Sequence, residues 1–102
     1  MEVTAWRNNN LTTATYGIWV GSPNRDKYFT NRLNSIEVEI DDQVHTIKLT
    51  ASFWRKCPEF RDSGSTTIRD WIYLYYTLEW PTGQPPRFEL HALGNNRFRL
   101  GD

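Results

Sequence analysis

Ile36-Glu-Val-Glu-Ile-Asp41 alternates apolar and acidic residues with a period of two, and Val44-His-Thr-Ile-Lys-Leu-Thr50 returns with His45, Ile47 and Leu49 on one face. That period belongs to a strand with one face on a core and the other in water. Asp41-Asp42-Gln43 between the two runs is turn chemistry, so together they read as an antiparallel hairpin. The same reading extends outward to both ends of the chain. Arg87-Phe-Glu-Leu-His-Ala-Leu93 alternates, Gly94-Asn95-Asn96 turns, and Arg97-Phe-Arg-Leu100 returns, which directs Phe88, Leu90, Phe98 and Leu100 inward. Towards the N-terminus, Glu2 to Trp6 forms a short strand, and Tyr16-Gly-Ile-Trp-Val20 is β-branched and aromatic, hence another.

Two segments read as helices. Gly21-Ser-Pro supplies a start with Ser22 at the N-cap and Pro23 at the first helical position, giving a short helix through Phe29. From Thr66 to Leu78 the aromatic content suits a strand, but Ile68, Trp71, Ile72, Tyr75 and Leu78 fall on one helical face, and we assign a helix with Ser65 or Thr66 as its cap. Ser52 to Ser65 breaks the pattern and reads as a long basic, aromatic connection, while Pro81, Gly83, Pro85 and Pro86 enforce a second irregular one. Six or seven short strands with two short helices predict a mostly β (α+β) chain, a small open β-barrel or pseudobarrel.

A chain of 102 residues supports one continuous core, and 1–102 is read as a single domain without repeats or low-complexity tracts. Only 38% of residues are apolar, but five Trp, five Tyr and five Phe concentrate burial in large rings. No apolar run is long enough to span a bilayer, and residues 1–10 lack a secretory signal, so the expected location is cytoplasmic. Cys57, the one cysteine, fits a reducing compartment and has no activating neighbours in sequence.

Formal net charge is zero, yet the charges are unevenly placed. Arg7, Arg25, Lys27 and Arg32 outnumber Glu2 and Asp26 in the first third, Lys48, Arg55, Lys56 and Arg61 stand against Glu59, and Glu37, Glu39, Asp41 and Asp42 form an acidic block between. Nine Arg to three Lys suits planar, bidentate contacts to phosphates or guanine edges.

Catalytic constellations are missing from the sequence. His45 and His91 have no Cys or His at ligand spacing, and there is neither a phosphate-cradling glycine motif nor a nucleophile elbow. The residues two before Lys27, Lys48 and Lys56 are Arg25, Thr46 and Trp54, so the carboxylate-x-lysine arrangement of many restriction nucleases is not encoded. Glu37 and Glu39 read as a solvated strand face. The chain is therefore expected to bind rather than catalyse, with no metal and no cofactor.

The order of these elements resembles the B3-type DNA-binding pseudobarrel of plant transcription factors and of the target-recognition domains of some bacterial restriction endonucleases, which would place the chain in a restriction-modification setting. Val3-Thr-Ala-Trp6 matches the first strand, Arg7 to Thr15 the N-terminal arm, and Ser22 to Phe29 the first helix. The acidic hairpin follows, Ser52-Phe-Trp54 leads into a C-terminal arm, Ile68-Arg-Asp-Trp-Ile72 matches the second helix, and Arg87-Phe-Glu-Leu90 with Arg97-Phe-Arg-Leu100 match the closing strands. Where that family carries a Gly-Asp turn after the second helix, this chain has Trp80-Pro-Thr-Gly-Gln-Pro-Pro86.

The resemblance implies two arms entering the major groove of double-stranded DNA. The family does not assign the contacting side chains, and the candidates here are chosen by chemistry: Arg7, Asn8, Asn9, Asn10, Thr12 and Thr13 in the first arm, Arg55, Lys56 and Arg61 in the second, with Trp54 as a packing anchor. The alternative is a small accessory protein of inhibitor or immunity type that binds another protein through exposed aromatics such as Trp54, Trp80 and Tyr73.

Overall fold

The computed structural model describes residues 1–8, 14–29 and 33–101. Seven strands run in one sheet: β1 (Glu2–Arg7), β2 (Tyr16–Trp19), β3 (Ser35–Ile40), β4 (Gln43–Lys48), β5 (Glu59–Arg61), β6 (Arg87–Gly94) and β7 (Arg97–Leu100). Three helices join them: α1 (Ser22–Tyr28), α2 (Ala51–Arg55) and α3 (Thr67–Tyr75). The strand order is β4-β3-β7-β6-β1-β2-β5, antiparallel throughout except that β3 and β7 are parallel. The sheet curls until its two edges, β4 and β5, approach each other, which makes a small, nearly closed barrel.

The alternation in the sequence sets the inside of that barrel. Ile36, Val38 and Ile40 of β3, Phe88 and Leu90 of β6, and Phe98 and Leu100 of β7 are all buried, with Val3 and Ala5 of β1 and Ile18 of β2 closing the same core. Asp41 and Asp42 have φ of 50° and 66°, and Asn95 and Asn96 have φ of 54° and 58°. Both hairpin turns thus use paired left-handed residues, whose twist matches the flanking strands and which Asp and Asn tolerate better than other side chains. The acidic face of β3 is flanked by a basic one: Glu37 and Glu39 lie in register with Arg97 and Arg99 of β7. The Glu37–Arg97 contact is 4.0 Å between half-exposed groups and contributes little.

Three expectations are corrected. Ser52 to Ser65 is not irregular throughout. Thr50 caps a short helix by accepting from the Phe53 amide at 3.3 Å, Phe53 is fully buried, and β5 follows as the edge partner of β2. Among the described residues there are thus three helices, the two expected ones and the short α2. The first helix begins one residue early, on Gly21 at φ 84°, and the last ends at Tyr75 rather than Leu78. Gly17 sits in β2 where a Cβ would run into the carbonyl oxygen of Phe60, so only glycine lets β5 pair this closely.

Candidate nucleic-acid interface

The two polar, basic segments leave opposite ends of β2. At its Tyr16 end, the Asn8 amide donates to Thr15 O at 3.1 Å and the Thr15 amide donates to Asn8 Oδ1 at 3.0 Å, closing the base of the first segment. Asn9, Asn10, Thr12 and Thr13 lie outside the described residues. At the other end, the amides of Val20 and Gly21 both donate to Pro58 O, at 2.9 and 3.4 Å, so the chain emerging from α2 is fixed there. From Tyr16 to Val20 the strand rises roughly 13 Å, close to the ~12 Å width of a B-DNA major groove.

Around α2 the cations gather. The Phe53 ring packs against Phe29 with centroids 5.1 Å apart, which docks α2 on the end of α1, and Arg25 Nη1 donates to Phe53 O at 3.1 Å. Trp54 is a packing anchor, as its sequence context implied, with its indole donating to Leu33 O at 3.1 Å. Arg55 and Lys56 are exposed beyond it and form no ion pair among the described residues. With Arg25 and Lys27 of the last turn of α1, four cations share one end of the barrel, and Asp26 is paired with Arg25 at 3.0 Å. Sequence reading counted Arg25 and Lys27 in the basic balance but left them out of the site, because the Phe29–Phe53 contact that brings the two helices together links residues 24 apart in the chain and follows no local period.

Arg61 belongs to the surface between the two segments. Its guanidinium lies 4.5 Å above the Trp6 ring and donates from Nη2 to Glu59 Oε1 at 2.6 Å, yet its side chain is still 45% exposed. Trp19, on the same outer face of β2, is also exposed. Beside Arg61, where β4 and β5 approach without pairing, runs a groove of about 470 Å³ lined by Lys48, Arg61, Ser63, Ser65 and Thr67, with Asp62 and His45 also in its wall. Hydroxyls and cations in such a groove are donors suited to phosphate oxygens and base edges.

Arg7 is placed differently from the others. It shares the inward parity of Val3 and Ala5, and its guanidinium donates to Leu78 O at 2.8 Å and Trp80 O at 3.5 Å while stacking 4.5 Å from the Trp80 ring. It is thus committed to the connection after α3, which it straps to β1. Asp62, next to Arg61, caps α3: its two oxygens accept from the amides of Ile68 at 2.8 Å and Arg69 at 3.0 Å. Burial pushes its carboxyl above the ordinary range, more than those two hydrogen bonds pull it down.

Among the described residues no group of three or more His, Cys, Asp or Glu is arranged to hold a metal ion, and no helix is long and apolar enough to cross a membrane. Comparison with known families, characterised proteins and solved structures gives no match.

Proposed function

We propose that the protein binds double-stranded DNA through the outer surface of β2 and β5, with the Asn8 and Thr15 pair and the α1–α2 end of the barrel flanking the duplex, and that it does so without cutting. The observation that supports this reading is that the base of the polar first segment, at Asn8 and Thr15, and the basic second one lie at the two ends of one four-residue strand, with Arg61 and its hydroxyl-lined groove beside the strand. In a chain of zero net charge, Lys27, Arg55 and Lys56 on one end, with Arg25 offset by Asp26, give a local positive field that steers a polyanion. The reading implies residence in a compartment that holds DNA. Fluorescence anisotropy with a randomised duplex pool tests it: binding should weaken with salt, with a slope corresponding to about three to six phosphate contacts. Absence of binding to any duplex at low salt sinks the proposal.

A second reading, a protein-binding accessory of inhibitor or immunity type, is favoured by a row of exposed apolar side chains at the end of α3: Tyr73, Leu74, Tyr75 and Tyr76. Of the aromatics expected as anchors, Tyr73 is 68% exposed, whereas Trp54 and Trp80 pack against the core.

A further inference from the structure

Beside that row lies a cavity of about 370 Å³, walled by Trp71, Tyr75 and Tyr76 on the helix side and by Asp41, Glu89 and Gly101 on the sheet side. Trp71 is 6% exposed and fixed edge-on against Phe88, with centroids 4.9 Å apart. Its ring stands 5.3 Å from Tyr75 and 5.5 Å from Tyr76, inclined 47° to each, so the three rings partly surround a space instead of stacking shut. Gly101 keeps the opposite wall close to Trp71: a Cβ there would meet the indole at 3.2 Å. The Tyr75 hydroxyl donates to Asp41 Oδ1 at 3.0 Å, which ties the end of α3 to the β3–β4 turn and holds the carboxylate at the rim. That neighbouring carboxylate raises the Tyr75 hydroxyl above its ordinary value, as a negative local potential requires.

Ring faces and carboxylates both favour positive charge, and ring faces also favour the apolar stem that carries it. Glu89 is already paired with the N-terminal ammonium at 3.2 Å, so the Asp41 carboxylate at the rim supplies the negative charge, which disfavours a phosphate there. The exposed apolar surface continues past the cavity along Tyr73 and Leu74, with Asp70 beside Leu74, further than one small cation would cover. We propose that this cavity receives the arginine or lysine side chain of a partner polypeptide whose apolar residues cover Tyr73 and Leu74. The cavity lies at the C-terminal end of α3, whereas the groove beside Arg61 reaches only Thr67 at its N-terminal end.

The test uses the isotope-labelled full chain and follows the Trp71 indole and Gly101 amide signals by NMR. Three probes are added in turn: N-acetyl-arginine methylamide, its neutral norleucine counterpart, and a twelve-residue peptide alternating arginine and leucine. The arginine probe should move both signals and bind at least about tenfold more tightly than norleucine, and the peptide should exceed the single residue by about tenfold or more. Asp41→Asn, which preserves the turn because Asn also accepts positive φ, should weaken both cationic probes by about fivefold or more. If that variant is unfolded, Asp41→Gly, which accepts positive φ without strain, serves in its place. Equal response to norleucine, no response to arginine, or a peptide no tighter than its single residue would overturn the proposal. None of these outcomes involves the β2–β5 surface, so failure here leaves the DNA reading standing, and failure of DNA binding leaves this one standing.

Discussion

At the Val20 end of β2, Arg55 and Lys56 stand in solvent on a helix held down by the fully buried Phe53; at the Tyr16 end, Arg7 turns inward and spends its donors on Leu78 and Trp80. The two segments look alike in sequence, polar and basic with an aromatic neighbour. Two local facts separate them. Arg7 continues the inward parity of Val3 and Ala5, and it meets carbonyls just beyond a helix C-terminus, where Pro81 interrupts the chain and backbone acceptors lack partners. Arg55 and Lys56 come at the end of a one-turn helix and meet no such acceptors among the described residues. A cation is available to a ligand only when the backbone around it has no prior use for its donors.

The largest effect expected from this contrast is at the anchor of the open segment. Phe53→Ala removes a ring packed against Phe29 and Trp54 and should cost roughly 3–5 kcal/mol in urea denaturation, because the cavity lies between two helices and the barrel. A cost under about 1 kcal/mol would mean that α1 and α2 are not docked through this residue. Arg7→Ala comes next. It should cost roughly 1–3 kcal/mol of stability by leaving the Leu78 carbonyl only its longer bond from the Tyr16 hydroxyl and removing the stack on the Trp80 ring, where an exposed loop arginine would cost less than about 0.5. A neutral Arg7→Ala that still abolishes DNA binding would return Arg7 to the contact set.

These cases mark how far the sequence could be read. Period-two alternation found the two hairpins, their inward residues and their turns, since those properties are local to each strand. The seventh strand and the third helix were invisible: Glu59–Arg61 is three residues long, and its pairing depends on Gly17 forty-two positions earlier. The roles of Arg7 and Arg61 depended on strand parity and on partners 71 and 2 residues away, so composition placed both in the site while the fold separated them. Arg61 in fact sits beside the base of the first segment, not in the second, because the Asp62 amide donates to Tyr16 O at 2.9 Å.

The open cations should affect binding and leave folding alone. Arg55→Ala and Lys56→Ala should each change stability by less than about 0.5 kcal/mol. Lys56→Ala should weaken all duplexes about equally and reduce the salt slope by about one, as for a phosphate contact, whereas Arg55→Ala should cost roughly 1–3 kcal/mol on a preferred sequence if its guanidinium reads a base. If both variants bind as the parent does, the α1–α2 end is not part of the interface and the comparison of the two segments loses its functional meaning.

The smallest effect lies at Asp62, between the two segments, and its sign can be settled in advance. Its carboxyl titrates above the ordinary value of 3.8 because burial outweighs the two amide hydrogen bonds from α3. The folded protein therefore binds this proton more readily than the unfolded chain, so the contribution of Asp62 to stability is fully present below 3.8 and is lost as pH rises through the elevated value. Asp62→Asn keeps one oxygen for the Ile68 amide, gives up the proton, and removes that dependence. Denaturation midpoints of parent and variant, compared from about pH 3 to pH 7, should diverge in the parent's favour on acidification. A difference that grows instead as pH rises would show that the amide bonds and the N-terminal dipole of α3 outweigh desolvation, and that this helix end favours negative charge more strongly than its burial allows.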